Sequence, residues 1–133
     1  VILVDSSVWV DFFRGKPTPQ TDTLERLLDS EALGIGDLNL TEVLQGCKFD
    51  KEFNEVRRLL ARLELVVLGG DDVAVKAAQN FRKLRSVGVT VRVTSDVVLA
   101  TRCIVSGHQL LHSDRYFDAF EVHLGLRCVG AGE

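Results

Sequence analysis

Val1-Ile2-Leu3-Val4-Asp5-Ser6-Ser7-Val8-Trp9 opens the chain and sets its architecture. The first four residues form an unbroken apolar, largely β-branched run with no polar alternation, as expected of a parallel strand covered by helices on both faces. Asp5 supplies the first charge. Ser6 and Ser7 are candidate N-caps for a helix through Val8, Trp9, Phe12 and Phe13 toward Gly15, so Asp5 occupies a strand-to-helix corner. A carboxylate there either caps the helix or faces a ligand, and the corner alone does not choose between them.

Strand-like and helix-like patterns alternate along the rest of the chain without repeats, low-complexity stretches or a long linker. Lys16-Pro17-Thr18-Pro19 reads as a loop, and residues 21–30 carry Leu24, Leu27 and Leu28 at helical spacing. A short buried strand fits residues 32–36. Asn39 or Thr41 is expected to open a helix holding Glu42, Val43 and Leu44, and residues 51–63 form a longer amphipathic helix. Leu65-Val66-Val67-Leu68 reads as another buried strand, closed by Gly69-Gly70. Asp71-Asp72 then start a helix through Val75, Ala78, Phe81 and Leu84 to Gly88. Thr94 and Ser95 are candidate caps for a helix from Asp96 that Gly107 stops. Gln109-Leu110-Leu111-His112 is the fourth strand, residues 114–123 a short helix, and residues 126–129 the last strand. These patterns predict one α/β domain over residues 1–133, a doubly wound sandwich whose central five-stranded parallel sheet is flanked by helices.

With 46% hydrophobic and 26% charged residues, 133 residues suffice for a substantial single core. No apolar run reaches the roughly 20 residues that span a bilayer, and the opening residues lack the basic region and cleavage site of a signal peptide. A cytoplasmic protein with no membrane partner is expected. Cys47, Cys103 and Cys128 contain no C-x-x-C spacing and read as buried thiols. The net charge of −3 conceals segregation: residues 57–92 hold Arg57, Arg58, Arg62, Lys76, Arg82, Lys83, Arg85 and Arg92 against only Glu64, Asp71 and Asp72. A basic face beside an acidic pocket accounts for this pattern, as does a solvated helix surface.

Within this layout Asp5 ends the first strand, Glu42 follows the second on a helix, Asp96 stands at a helix start and Asp114 follows the fourth strand. Right-handed crossovers carry such positions to one edge of the sheet. Converging carboxylates repel unless cations join them, and hard oxygen donors suit Mg²⁺ or Mn²⁺. That chemistry is the usual logic of metal-dependent phosphodiester hydrolysis. Taken singly, Asp96 and Asp114 are equally explained as helix N-terminal residues and Glu42 as an exposed helical carboxylate. Ser6, Ser7, Asn39, Ser95 and Ser113 lie close enough in sequence to orient the acids, with capping the simpler role for Ser95 and Ser113.

Ile2-Leu3-Val4-Asp5-Ser6-Ser7-Val8-Trp9, Leu40-Thr41-Glu42-Val43-Leu44-Gln45-Gly46, Val91-Arg92-Val93-Thr94-Ser95-Asp96-Val97-Val98-Leu99-Ala100 and Leu111-His112-Ser113-Asp114-Arg115-Tyr116-Phe117-Asp118, in this order, resemble the PIN-domain ribonucleases, and among them the VapC-type toxins of toxin–antitoxin pairs. The resemblance covers nearly the whole chain. It implies Mg²⁺- or Mn²⁺-dependent endonucleolytic cleavage of RNA, homodimerisation and inhibition by a small cognate antitoxin. It also implies a catalytic quartet of Asp5, Glu42, Asp96 and Asp114, with Asp5, Asp96 and Asp114 as metal ligands. Ser6 and Ser7 are supporting residues, and Arg92 and Arg115 are candidate RNA contacts. The chain departs from the family at Tyr116, where many members carry a further Asp, so a second metal position is expected to be weak or absent. Asp118 is a candidate partial substitute, or an exposed carboxylate pairing along its helix.

His108, His112 and His123 lack ligand spacing with the acids and read as structural or surface residues. G-x-x-x-x-G-K-[ST] and G-x-S-x-G are both absent. Two further classes stand beside the nuclease: a catalytically silent binding protein on the same fold, and a phospho-acceptor signalling module. The last would need adjacent acids near the first strand and a late lysine, whereas serines follow Asp5 and no Lys occurs beyond Lys83. Trp9, Phe12, Phe13, Leu24, Leu27 and Leu28 exceed what a small monomer needs on its surface, so they either pair with another chain or enter the core.

Overall fold

The computed structural model describes residues 1–30 and 32–130. Five short strands form, all paired in parallel. β1 (Ile2–Val4), β4 (Gln109–Leu111) and β5 (Arg127–Cys128) make a three-stranded sheet in the order β1-β4-β5, while β2 (Gly34–Gly36) and β3 (Glu64–Val66) make a two-stranded sheet. One bridge, Ile2 with Leu33, and a 2.7 Å bond from the Ile2 N–H to the Ala32 carbonyl set β2 beside β1. The expected single five-stranded sheet is thus divided into two ladders joined at one point. Strands of two or three residues carry too few hydrogen bonds to extend the ladder across that seam.

The unbroken apolar runs are explained by burial on both faces. In β1, Leu3 belongs to one core with Leu110, Leu99, Phe117 and Phe120, whereas Val4 belongs to a second core with Leu111, Trp9, Leu24 and Ile35. Successive strand residues point to opposite faces, so Leu3 and Val4, both fully buried, each need a cover. α5 (Asp71–Ser86), α6 (Thr94–Ser106) and α7 (Tyr116–Leu124) contribute to the first core. α1 (Ser6–Phe13), α2 (Pro19–Leu28), α3 (Asp37–Gln45) and α4 (Asp50–Leu60) contribute to the second. Helices therefore cover both faces, as a doubly wound arrangement requires.

β2 is Gly-Ile-Gly for a steric reason. A Cβ on Gly36 would lie 2.7 Å from Leu68 Cδ1 and 2.6 Å from Asn39 Oδ1, whereas Ile35 faces the second core. The run 65–68 is not a buried strand. β3 pairs only with β2, which leaves Leu65 and Val67 exposed while Leu68, beyond the strand, is fully buried.

Helix starts also differ from the sequence reading. α2 begins within the expected loop, where Thr18 and Thr21 form a reciprocal cap with Pro19 at the first position. α3 starts at Asp37 after Gly36, not at Asn39 or Thr41, and α6 starts at Thr94 after Val93, with no side-chain cap in either case. Trp9 and Leu24 are fully buried core residues, with Phe12, Phe13, Leu27 and Leu28 half-buried against them, so core packing accounts for most of this apolar surplus. All three cysteines are free, but only Cys103 is fully buried. No helix among the described residues is long and apolar enough to cross a membrane.

Candidate active site

Asp5 is fixed by the sheet itself: its N–H continues the β1–β4 ladder with a 3.0 Å bond to the Leu111 carbonyl, and its own carbonyl accepts from Val8 in the first turn of α1. The side chain is buried and makes no cap hydrogen bond in the α1 geometry. Ser7 Oγ instead donates to Asp5 Oδ2 at 2.6 Å. Burial raises the Asp5 pKa, the Ser7 hydroxyl and the Ser6 and Ser7 amides oppose that rise, and the charge of Glu42 adds to it.

Glu42, half-buried on α3, is reached from two other elements. Ser6 Oγ donates to Oε1 at 2.9 Å and Ser95 Oγ contacts Oε2 at 3.4 Å. Asn39, one helical turn before Glu42 and almost wholly buried, donates from Nδ2 to Ser6 Oγ at 2.8 Å, so an amide–hydroxyl–carboxylate chain fixes the glutamate. Asp96 is buried in the first turn of α6 and accepts a hydrogen bond on Oδ2 from the Tyr116 hydroxyl. Its pKa is pushed up from 3.8 to about 6, by burial first and then by the charges of Asp5, Glu42 and Asp114, against the opposing Tyr116 bond. Asp114, exposed beyond β4, donates its backbone N–H to His112 Nδ1 at 3.2 Å. Neighbouring Ser113 Oγ lies 3.4 Å from Ser7 Oγ.

The four acids are therefore gathered at one rim, where each lies in the electrostatic field of Asp96 or is Asp96 itself. Their direct links run through hydroxyls. Among the described residues no three Asp, Glu, His or Cys side chains are disposed as a ready-made ion cage, so the closer approach expected of ion-sharing carboxylates is not present. Ser6, Ser7, Ser95 and Tyr116 contact carboxylate oxygens of Glu42, Asp5 and Asp96. The donor set nevertheless fits a divalent cation: it is all oxygen, two members are buried, and no described Lys or Arg forms an ion pair with any of the four.

Other expected site residues separate into two groups. Ser6, Ser7, Ser95 and Ser113 join the cluster through side-chain bonds rather than serving as caps. Asp118 stands on α7, its Oδ1 3.9 Å from His112 Nε2, and has no hydrogen bond to the four acids among the described contacts. Arg92 and Arg115 are exposed and form no ion pair with a described residue. His112 is more than a surface residue: its ring lies 4.9 Å from the Phe117 ring and supports the Asp114 backbone, and burial lowers its pKa. Sequence reasoning treated Tyr116 only as a missing acid and did not foresee its bond to Asp96. Its position two residues after Asp114 was the available signal.

The family model described as PIN domain matches residues 2–122. The chain belongs to the PIN-domain family. Within that family, the chain is similar to Ribonuclease VapC11 of Mycobacterium tuberculosis, at 31% identity over 121 residues that cover 89% of this chain and 90% of the relative. The PIN fold is also that of the VapBC complex of Salmonella typhimurium bound to DNA, with TM-score 0.78, 20% identity and 96% of both chains covered. VapBC2 of Rickettsia felis bound to a promoter DNA fragment superposes with TM-score 0.73, 17% identity and the same coverage.

Proposed function

We propose that this PIN-domain chain is a Mg²⁺- or Mn²⁺-dependent endoribonuclease that acts in the cytoplasm as the toxin of a toxin–antitoxin pair. The observation that carries the reading is the rim cluster, where Asp5, Glu42, Asp96 and Asp114 come from four different parts of the fold and form no ion pair with a described Lys or Arg. The ribonuclease name of the mycobacterial relative supports RNA as the substrate, and the VapBC complexes support a small cognate antitoxin. A homodimer is part of the same proposal, as is a five-stranded sheet continued from β1 to β2, supported by the Ile2–Leu33 bridge.

In this reading Asp5, Asp96 and Asp114 hold the cation, and Glu42 completes the catalytic quartet. A divalent cation, when bound, supplies positive charge that offsets a scissile phosphate and lowers the pKa of water. The protein's part is orientation and proton handling. Ser7 fixes the Asp5 oxygen, the Asn39–Ser6 pair aims Glu42, and Glu42, carried on α3, would accept a proton from the attacking water. Arg92 and Arg115, exposed and without an ion pair among the described residues, are the proposed contacts to RNA phosphates.

The test is cleavage of structured and single-stranded RNA by pure protein across a Mg²⁺ and Mn²⁺ titration, with EDTA as the control. Cleavage lost in EDTA and in folded Asp5→Ala and Asp114→Ala proteins is the expected result. A folded wild-type protein that binds metal yet cuts no RNA would instead support the silent binding protein.

A further inference from the structure

We infer that Tyr116 is a positioning residue for Asp96, holding one carboxylate oxygen so that the other is the one left to a divalent cation. This rests on reading the rim cluster as an ion-binding centre. Tyr116 donates its hydroxyl proton to Asp96 Oδ2, the only hydrogen bond to that carboxylate among the described contacts. Both partners sit on rigid elements. Tyr116 is the first residue of α7, its ring 4.7 Å from that of the fully buried Phe117, and Asp96 is anchored in α6 by its N–H bond to the Val93 carbonyl at 3.1 Å.

The phenol also lies within the fields of Asp5 and Asp114. Its chemistry then decides its role. A neutral phenol is a donor and a poor ligand, and a carboxylate oxygen that accepts a charge-assisted hydrogen bond has less to give a cation. An incoming ion must therefore take the other Asp96 oxygen alone or displace the phenol.

Tyr116 is the only tyrosine in the chain, so a single ¹³Cζ-tyrosine resonance reports on this bond. The experiment titrates Mg²⁺ into labelled wild-type protein while following that resonance, and measures Mg²⁺ affinity of wild type and Tyr116→Phe by calorimetry. The expected result is a saturable shift of the resonance and binding about tenfold tighter in the variant, because the hydrogen bond to a charged oxygen that competes with the ion is gone. A resonance that stays in place as Mg²⁺ saturates the protein overturns the inference. So does an affinity in the folded variant that is unchanged or weaker. If Tyr116→Phe fails to fold by circular dichroism, the wild-type resonance alone decides. Folded wild type that binds Mg²⁺ and cuts RNA, but shows a fixed resonance, removes this inference and leaves the nuclease reading intact. Wild type that binds no Mg²⁺ removes both.

Discussion

Replacing Asp96 with asparagine gives a quantitative test of whether like-charge repulsion is built into the rim. Asp96 has its pKa raised from 3.8 to about 6, chiefly by burial and then by Asp5, Glu42 and Asp114. Between those values the folded protein binds a proton that the unfolded chain has released, so stability falls as pH rises through this window and levels off above it. A shift of about two units corresponds to roughly 3 kcal/mol, and solvent screening at a rim that opens to water reduces this to about 1–2 kcal/mol. The asparagine side chain carries no charge, and its amide oxygen can still accept from Tyr116. In EDTA near neutral pH, Asp96→Asn should therefore melt several degrees above wild type, at about 3–5 °C per kcal/mol for a chain of this size. At about pH 4, where Asp96 is protonated in wild type, the two proteins should melt together. Mg²⁺ should raise the wild-type melting temperature by mass action and raise that of the variant much less. Scanning calorimetry at both pH values, with and without Mg²⁺, measures all of this. A variant no more stable than wild type near neutral pH, or equally stabilised by Mg²⁺, would refute the argument.

Asp5→Ala and Asp114→Ala should each lower RNA cleavage by at least about 10²-fold with circular dichroism unchanged, because charge stabilisation of the transition state is lost; near-wild-type turnover in folded Asp5→Ala protein would sink the mechanism. Gly36→Ala should cost about 1–3 kcal/mol and reduce cleavage as well, since the new methyl meets buried Leu68 and the Asn39 amide that steadies Ser6 and Glu42. Urea unfolding and a cleavage assay on one preparation check both effects. Trp9→Ala should destabilise by about 3–5 kcal/mol by opening a cavity in the second core. Trp9→Phe should cost much less, because the indole N–H it removes is buried without a partner. His123→Ala, far from these contacts and exposed, should change neither stability nor cleavage measurably.

The candidate site was partly legible because Asp5 and Asp114 follow strand patterns that read correctly on their own. Val1-Ile2-Leu3-Val4 before Asp5 and Gln109-Leu110-Leu111 before Asp114 are recognisable strands, and parallel strands deliver their C-terminal ends to one edge. The partners of those acids were less legible. Ser95 looks like a helix cap in sequence, but α6 starts one residue before it and its hydroxyl contacts Glu42, 53 residues away. Tyr116 looked like a missing acid, whereas in three dimensions its hydroxyl reaches Asp96 on another helix.

What the sequence determined by itself was the order of elements, the burial of β1 and β4 and the placement of Asp5 and Asp114 beyond strand ends, because these follow from local periodicity and chain chirality. Tertiary structure decided whether a polar side chain caps its own helix or supports a carboxylate on a neighbouring element. It also decided where the sheet divides and which apolar residues stay exposed, as at Leu65 on edge strand β3 and Val67 just beyond it. A side chain's hydrogen-bond partner depends on what the fold brings within about 3 Å of it, and that distance is set by packing between elements remote in sequence.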